Sequence, residues 1–203
     1  MISSELSIFS IGFILSLAGT LIVLKYGSAL EFIDVQNARS SHKGRIPKGG
    51  GLGILLSFIF FSLSFEIPTY LWGPSVLISL VSFLGDRRDL SIGLRMSVQA
   101  ACALIIVMSL GLDLSVFNVF KIIFLCAYMI FTTNMYNFMD GIDGIAGINA
   151  IVSFGSLALY MTVSGLDSHY SDLGFGIALS IIPFLLFNIP RAKIFMGDVG
   201  SIL

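Results

Sequence analysis

Asn134, Asn137, Asp140 and Asp143 stand three residues apart in this 203-residue chain, inside the stretch Asn134-Met135-Tyr136-Asn137-Phe138-Met139-Asp140-Gly141-Ile142-Asp143-Gly144. If a helix runs into this stretch, Asn134 and Asn137 share a face, and Asp140 and Asp143 repeat the spacing. The product is a ladder of oxygen ligands beside glycines. Hard cations such as Mg²⁺ take carboxylate and carbonyl oxygens and keep positions open for substrate phosphates. A calcium loop or a capped helix end uses similar residues, but the EF-hand spacing with its closing glutamate is absent.

Three other stretches carry polar chemistry. Arg39, His42, Lys43, Arg45 and Lys48 lead into the run Gly49-Gly50-Gly51. Glycine lets backbone approach a ligand closely, and a helix N-terminus attracts anions, so a phosphate cradle is one reading. A solvated basic loop with a flexible hinge is the other. Gly85-Asp86-Arg87-Arg88-Asp89 mixes acid and base at the end of an apolar run. Surface ion pairs would look the same. Asn188-Ile189-Pro190-Arg191-Ala192-Lys193-Ile194-Phe195-Met196-Gly197-Asp198 adds an acid between glycines and an aromatic that could stack on a base. Acids for a metal and bases for phosphates are the requirements of phosphoryl transfer, where positioning and charge neutralisation do most of the work.

These residues need elements to hold them, and the elements are apolar. Hydrophobic residues make up 56% of the chain and charged residues 11%, against about 25% charged in a soluble domain. The net charge of -1 gives no basic footprint for nucleic acid. Cys102 and Cys126 lie in apolar runs and read as buried hydrophobes. A spanning helix needs roughly 20 mostly apolar residues. Seven stretches qualify or nearly so, at about 6–24, 51–66, 70–85, 97–118, 119–135, 147–163 and 173–189. Glu66-Ile67-Pro68-Thr69 reads as a tight turn, and the fourth and fifth spans should part near Gly111-Leu112-Asp113. The expected fold is all-α, a single multi-pass transmembrane bundle over 1–203.

With the N-terminus outside, in the periplasm, the loops at about 25–50, 86–96, 136–146 and 190–203 share one side. They hold ten of the eleven Lys and Arg, with Lys121 the exception. The positive-inside rule assigns that side to the cytoplasm. The acids of the site sit at span ends, whereas a transporter or channel would place ionisable groups near the bilayer midplane.

With these motifs in view, the chain resembles the polyprenyl-phosphate N-acetylhexosamine-1-phosphate transferases, glycosyltransferase family 4. The matching blocks are Arg39 to Gly51, Asn134 to Gly147 and Phe187 to Ser201, in a form closest to the O-antigen-initiating branch. The resemblance implies transfer of a sugar phosphate from a UDP-N-acetylhexosamine to undecaprenyl phosphate, with release of UMP, at the bacterial inner membrane. It implies Mg²⁺, or Mn²⁺, on Asn137 and Asp198. It puts Asp86 and Asp143 in catalytic roles. Lys48, Asn134, Asp140, Asp143, Asn188 and Phe195 would line the nucleotide-sugar site, with Phe195 stacking on uracil. A homodimer is compatible with this. Two departures stand out. The family has an acid before Asp86, where this chain has Gly85. Members also continue past the last motif, through further spans and a histidine-containing basic loop. The resemblance therefore implies the N-terminal two thirds of a usual member, either a fragment or a truncated protein that binds substrate without turnover.

Overall fold

A computed structural model describes residues 2–27, 33–35, 45–88 and 90–203, and the side chains of 2–4, 33–35, 45 and 86–88 lie outside that description. The described chain is α1 (Ile2–Tyr26), β1 (Ile33–Val35), β2 (Arg45–Pro47), α2 (Gly51–Ser64), α3 (Thr69–Arg88), α4 (Ile92–Met108), α5 (Val116–Met139), α6 (Ile145–Val163), α7 (Ser168–Asn188) and the single turn α8 (Asp198–Ser201). Four helices, α1, α5, α6 and α7, are long and apolar enough to cross a membrane. Helices α2, α3 and α4 supply shorter apolar segments. The all-α membrane bundle holds. One small element was not foreseen: β1 and β2 pair antiparallel, Ile33 against Pro47.

Helix boundaries differ from the apolar runs in a regular way. Polar residues hide helical turns from a hydrophobicity count. Helix α4 starts at Ile92 rather than 97, because the Ser91 side chain caps it by accepting from Leu94 N at 3.3 Å. The expected loop at 86–96 thus shrinks to a short connection, and Arg95 becomes helical. Helix α5 runs on to Met139, so Asn134 and Asn137 do share a helix. Asp140 and Asp143 do not. Asp140 caps the helix and Asp143 lies in the turn beyond. The break between α4 and α5 spans 109–115 and contains the expected Gly111, at φ 69.

The turn after α2 is a Schellman motif. Ile67 N donates to Ser62 O at 2.8 Å and Glu66 N to Leu63 O at 3.3 Å. Glu66 takes the left-handed position, φ 53, where glycine is usual. The matching turn after α6 uses Gly165 there, φ 65.

Small residues hold the bundle. A Cβ on Gly19 would lie 2.5 Å from Gly53 Cα, so α1 and α2 touch backbone to backbone. Buried Ser57 donates to Gly12 O at 2.7 Å, and buried Ser16 donates to Ser180 O, tying α1 to both α2 and α7. Large side chains point the other way. On α5, Phe117, Phe120, Phe124, Phe131 and Phe138 are all more than 60% exposed, a face made for lipid rather than water. The C-terminal ends of α3, α5 and α7 and the N-terminal ends of α2, α4 and α6 gather at one end of the bundle, around residues 188–203.

Candidate functional site

The segment Phe195–Ser201 is the hub of that end. Phe195 O accepts from Gly49 N at 3.1 Å and Gly50 N at 2.9 Å, and Met196 O accepts from Gly51 N at 2.9 Å. Phe195 N donates in turn to Pro47 O at 2.9 Å. The glycine run is therefore a clasp for this segment. Its N–H groups, which the sequence offered to a phosphate, are occupied by carbonyls. The glycines are needed for approach: a Cβ on Gly51 would lie 2.4 Å from Gly200 Cα and 2.5 Å from Gly200 N. Lys48 pairs with Phe195 in a parallel bridge, which sets it beside the hub. Phe195 itself is 4% exposed, so its ring is packed inside the protein.

The α5–α6 turn docks on the same hub. Asp140 Oδ2 accepts from Gly197 N at 2.8 Å. The Ser201 hydroxyl donates to Asn137 Oδ1 at 2.6 Å and lies 3.0 Å from Gly197 O. Asp198 and Ser201 are one turn apart on α8, so Asn137 sits against the face that carries Asp198. Asn134 donates to Gln99 Oε1 on α4 at 2.8 Å and to Ile130 O at 2.7 Å. Asp143, exposed, accepts from Ala192 N at 3.1 Å. Asn188 is buried and uses both ends of its amide within the protein. Its Oδ1 accepts from Gly144 N at 2.6 Å and its Nδ2 donates to Ile194 O at 2.8 Å. It is a brace between α6 and the hub in this state.

Asp198 has an unexpected companion. Arg95 Nη1 donates to Asp198 Oδ2 at 3.0 Å, closing an ion pair between α4 and α8. Gly85 on α3 faces that guanidinium, and a Cβ there would lie 2.8 Å from Nε and Nη2. Asp86 belongs to the last turn of α3, but its side chain, like His42 and Asp89, lies outside the described residues.

Charge is balanced rather than uniform here. Desolvation pushes the Asp140 carboxyl up from 3.8 to about 7, and the nearby Asp198 adds to the rise. The N–H groups of Gly197 and Met196 and the charge of Lys48 pull the other way. A second carboxylate beside Asp140 invites a cation. Asn137 Oδ1, Asp198 and Asp140 form an all-oxygen donor set, the hard kind Mg²⁺ accepts, with one or two carboxylates and the rest left to water or phosphate. The donors fit. No group of three or more His, Cys, Asp or Glu close enough to cage an ion exists among the described residues, so water or phosphate oxygens would complete the shell.

Below the hub lies a cavity of about 750 Å³ between α2, α5, α6 and α7, reached by Tyr136, Met196, Ser201 and Leu203 at its polar end and by Phe58 and Leu157 deeper down. That volume falls within the range of small-molecule sites, roughly 300–1,000 Å³.

Of the residues that sequence reasoning singled out, the structure brings Asn137, Asp140, Asp198 and Lys48 together and sets Asn134, Asp143 and Asn188 around them. It missed Arg95, Gln99 and Ser201. Ser201 stood in a quoted motif as a plain neighbour of glycine. Gln99 was a polar residue inside an apolar run, which is the signal that a span face is buried or functional.

Fold and site together define a multi-pass membrane protein with an oxygen-rich polar centre at one end of its bundle. Residues 68–203 match glycosyl transferase family 4, and the chain belongs to that family. It is 30% identical over 199 residues, 88% of its length, to an undecaprenyl-phosphate alpha-N-acetylglucosaminyl 1-phosphate transferase of Escherichia coli O157:H7. It is 30% identical to a Thermotoga maritima protein of the same name over 94% of its length, and 31% identical to one from Salmonella typhi over its full length. The chain spans 54–59% of the length of these relatives.

Proposed function

We propose that this chain carries the donor and cation site of a transferase that moves an N-acetylhexosamine 1-phosphate from a UDP-sugar to undecaprenyl phosphate, releasing UMP. In that reaction an oxygen of the lipid phosphate bonds to the β-phosphorus of the donor, and the bond from that phosphorus to the bridging oxygen breaks. The observation that carries the reading is the convergence of Asn137, Asp140 and Asp198 with Lys48 and Arg95 on one hub, at the end of an apolar bundle. Its relatives' names point the same way. The active face is cytoplasmic in this reading, from the basic loops, and the membrane is the bacterial inner membrane. The pathway is envelope polysaccharide synthesis, O-antigen being the expected product class.

Each group has a task. Asn137 and Asp198 would hold Mg²⁺, or Mn²⁺, which when bound neutralises the diphosphate and withdraws charge from the phosphorus. Lys48 adds positive potential beside Asp140. Asp140, by accepting from Gly197 N, fixes the loop that presents Asp198. Asn134, anchored to Gln99, holds the α5 end in register. Asp143 orients the 190s loop through Ala192 N and faces solvent where a nucleotide could reach it. The apolar cavity that touches Ser201 offers room for a polyprenyl chain beside the phosphate chemistry. Gly85 favours a second reading, a chain that binds donor without turnover, because the acid expected beside Asp86 is missing.

The test is Mg²⁺-dependent UMP release from membranes given UDP-N-acetylglucosamine and undecaprenyl phosphate. Metal-dependent UMP in proportion to lipid phosphate is the expected result. UDP-sugar binding without UMP, persisting after Gly85→Asp, would establish the second reading instead, and absence of both binding and UMP would sink the two together.

A further inference from the structure

The positive group that the structure supplies at Asp198 is a side chain. Arg95 crosses from the first turns of α4 to reach it, with 29% of the arginine and 18% of the aspartate side chain exposed. The reach has a condition and a consequence. Its condition is Gly85: the guanidinium occupies the space where any Cβ at 85 would lie, 2.8 Å from Nε and Nη2 and 3.0 Å from Cζ. Its consequence is that the buried Arg95 Nε–H has no hydrogen-bond partner among the described residues. A buried donor is normally satisfied, and leaving it bare opposes the conformation. Among the described residues Arg95 is therefore held by the charge of Asp198 and not by a full set of bonds, which is the condition of a movable counter-ion rather than a fixed brace.

We propose that Arg95 is a built-in counter-ion of Asp198, admitted by the missing side chain at Gly85, and that it competes with a divalent cation for this carboxylate. The inference rests on reading Asp198 as a cation ligand. With Asp140 close by and partly desolvated, Asp198 needs a positive neighbour whether or not a cation is bound. Nη1 lies 3.0 Å from Oδ2, and a cation ligated by the same oxygen would be repelled by the guanidinium at that distance. Cation binding must then displace Arg95, and the strength of the ion pair subtracts from cation affinity. A partly exposed pair of this kind is worth about fivefold in an equilibrium constant. The displaced guanidinium, five donors in a rigid fork, is free to take a phosphate oxygen of the bound diphosphate. Gly85 is on this account a specificity-setting position and not merely a lost acid.

The experiment is direct Mn²⁺ binding to the purified full chain in detergent micelles, read by loss of the free-ion electron paramagnetic resonance signal, with no substrate present. Arg95→Gln removes the competitor, and Gly85→Ala keeps its charge but pushes it off Asp198. Both should bind Mn²⁺ about fivefold more tightly than the wild-type chain, and Asp198→Asn should abolish the gain in either background. Equal or weaker Mn²⁺ binding in Gly85→Ala and Arg95→Gln, with Asp198→Asn still lowering it, would overturn the competition and leave Asp198 a cation ligand. Mn²⁺ binding that Asp198→Asn does not change would overturn both. Gly85→Ala alters no polar group, so it answers the question even if Arg95→Gln fails to fold.

Discussion

Asn188 offers the sharpest test of how the site is built. Resemblance makes it part of the nucleotide-sugar site, whereas in the structure both ends of its amide are taken by backbone, at 2.6 Å from Gly144 N and 2.8 Å to Ile194 O. Replacing it by leucine, similar in volume, removes both bonds. Gly144 and Ile194 are buried, so the orphaned N–H and C=O cannot turn to water. Each lost bond is worth about 1 kcal/mol, and each buried group left unsatisfied raises that to roughly 1–3 kcal/mol. The sum is about 2–6 kcal/mol. For a chain of this size that lowers the unfolding temperature by roughly 4–24 °C. Asn188→Asp keeps the acceptor for Gly144 but sets a carboxylate oxygen against Ile194 O in a buried site, so at neutral pH it should destabilise at least as much as leucine. Thermal unfolding in detergent, followed by circular dichroism with and without UDP-N-acetylglucosamine, reads both roles. If Asn188→Leu unfolds at the wild-type temperature while losing nucleotide binding, the brace argument is wrong and the residue serves the ligand alone.

Three further outcomes follow from the same geometry. Glu66→Gly should raise stability by about 1 kcal/mol, since Glu66 sits at φ 53 while Gly165 fills the matching turn; an unchanged or lower unfolding temperature would refute it. Gly51→Ala, whose Cβ would lie 2.4 Å from Gly200 Cα, should destabilise by about 1–3 kcal/mol and weaken Mn²⁺ binding by shifting α8; tolerance without either effect would show the clasp to be loose. The Asp140 carboxyl is raised in the folded state from 3.8 to about 7, so its ionisation opposes folding. Its contribution is fully favourable below pH 4 and is lost as pH rises toward 7, with no further change above. Unfolding temperatures of metal-free wild type and Asp140→Asn across pH 4–8 should diverge over that window, and parallel curves would contradict the shift.

Much of this protein is legible in its sequence. The seven apolar segments appear as seven helices, four of them long enough to cross a membrane and three shorter, since a span must satisfy its own backbone and so announces itself as a continuous apolar run. Boundaries were less legible where polar residues continue a helix. Arg95 belongs to α4 and Asn137 to α5, although the apolar runs at about 97–118 and 119–135 stop short of both. The motif residues were also legible by type, because cation and phosphate chemistry needs carboxylates, amides and bases wherever it occurs.

What the sequence by itself determined is which residues hold charge and which end of each apolar segment they flank. Composition and the period of the apolar runs fix that locally. Only the tertiary structure decided the partners. The glycine run, open to a phosphate in the sequence, is closed on Phe195 and Met196 by hydrogen bonds across about 145 residues of chain. Asp198, an acid among glycines in the sequence, meets an arginine from 103 residues earlier. Such pairings depend on which helices pack together and how closely. That is set by Gly51 against Gly200 and by the space at Gly85, where what matters is an absent side chain and what stands across from it.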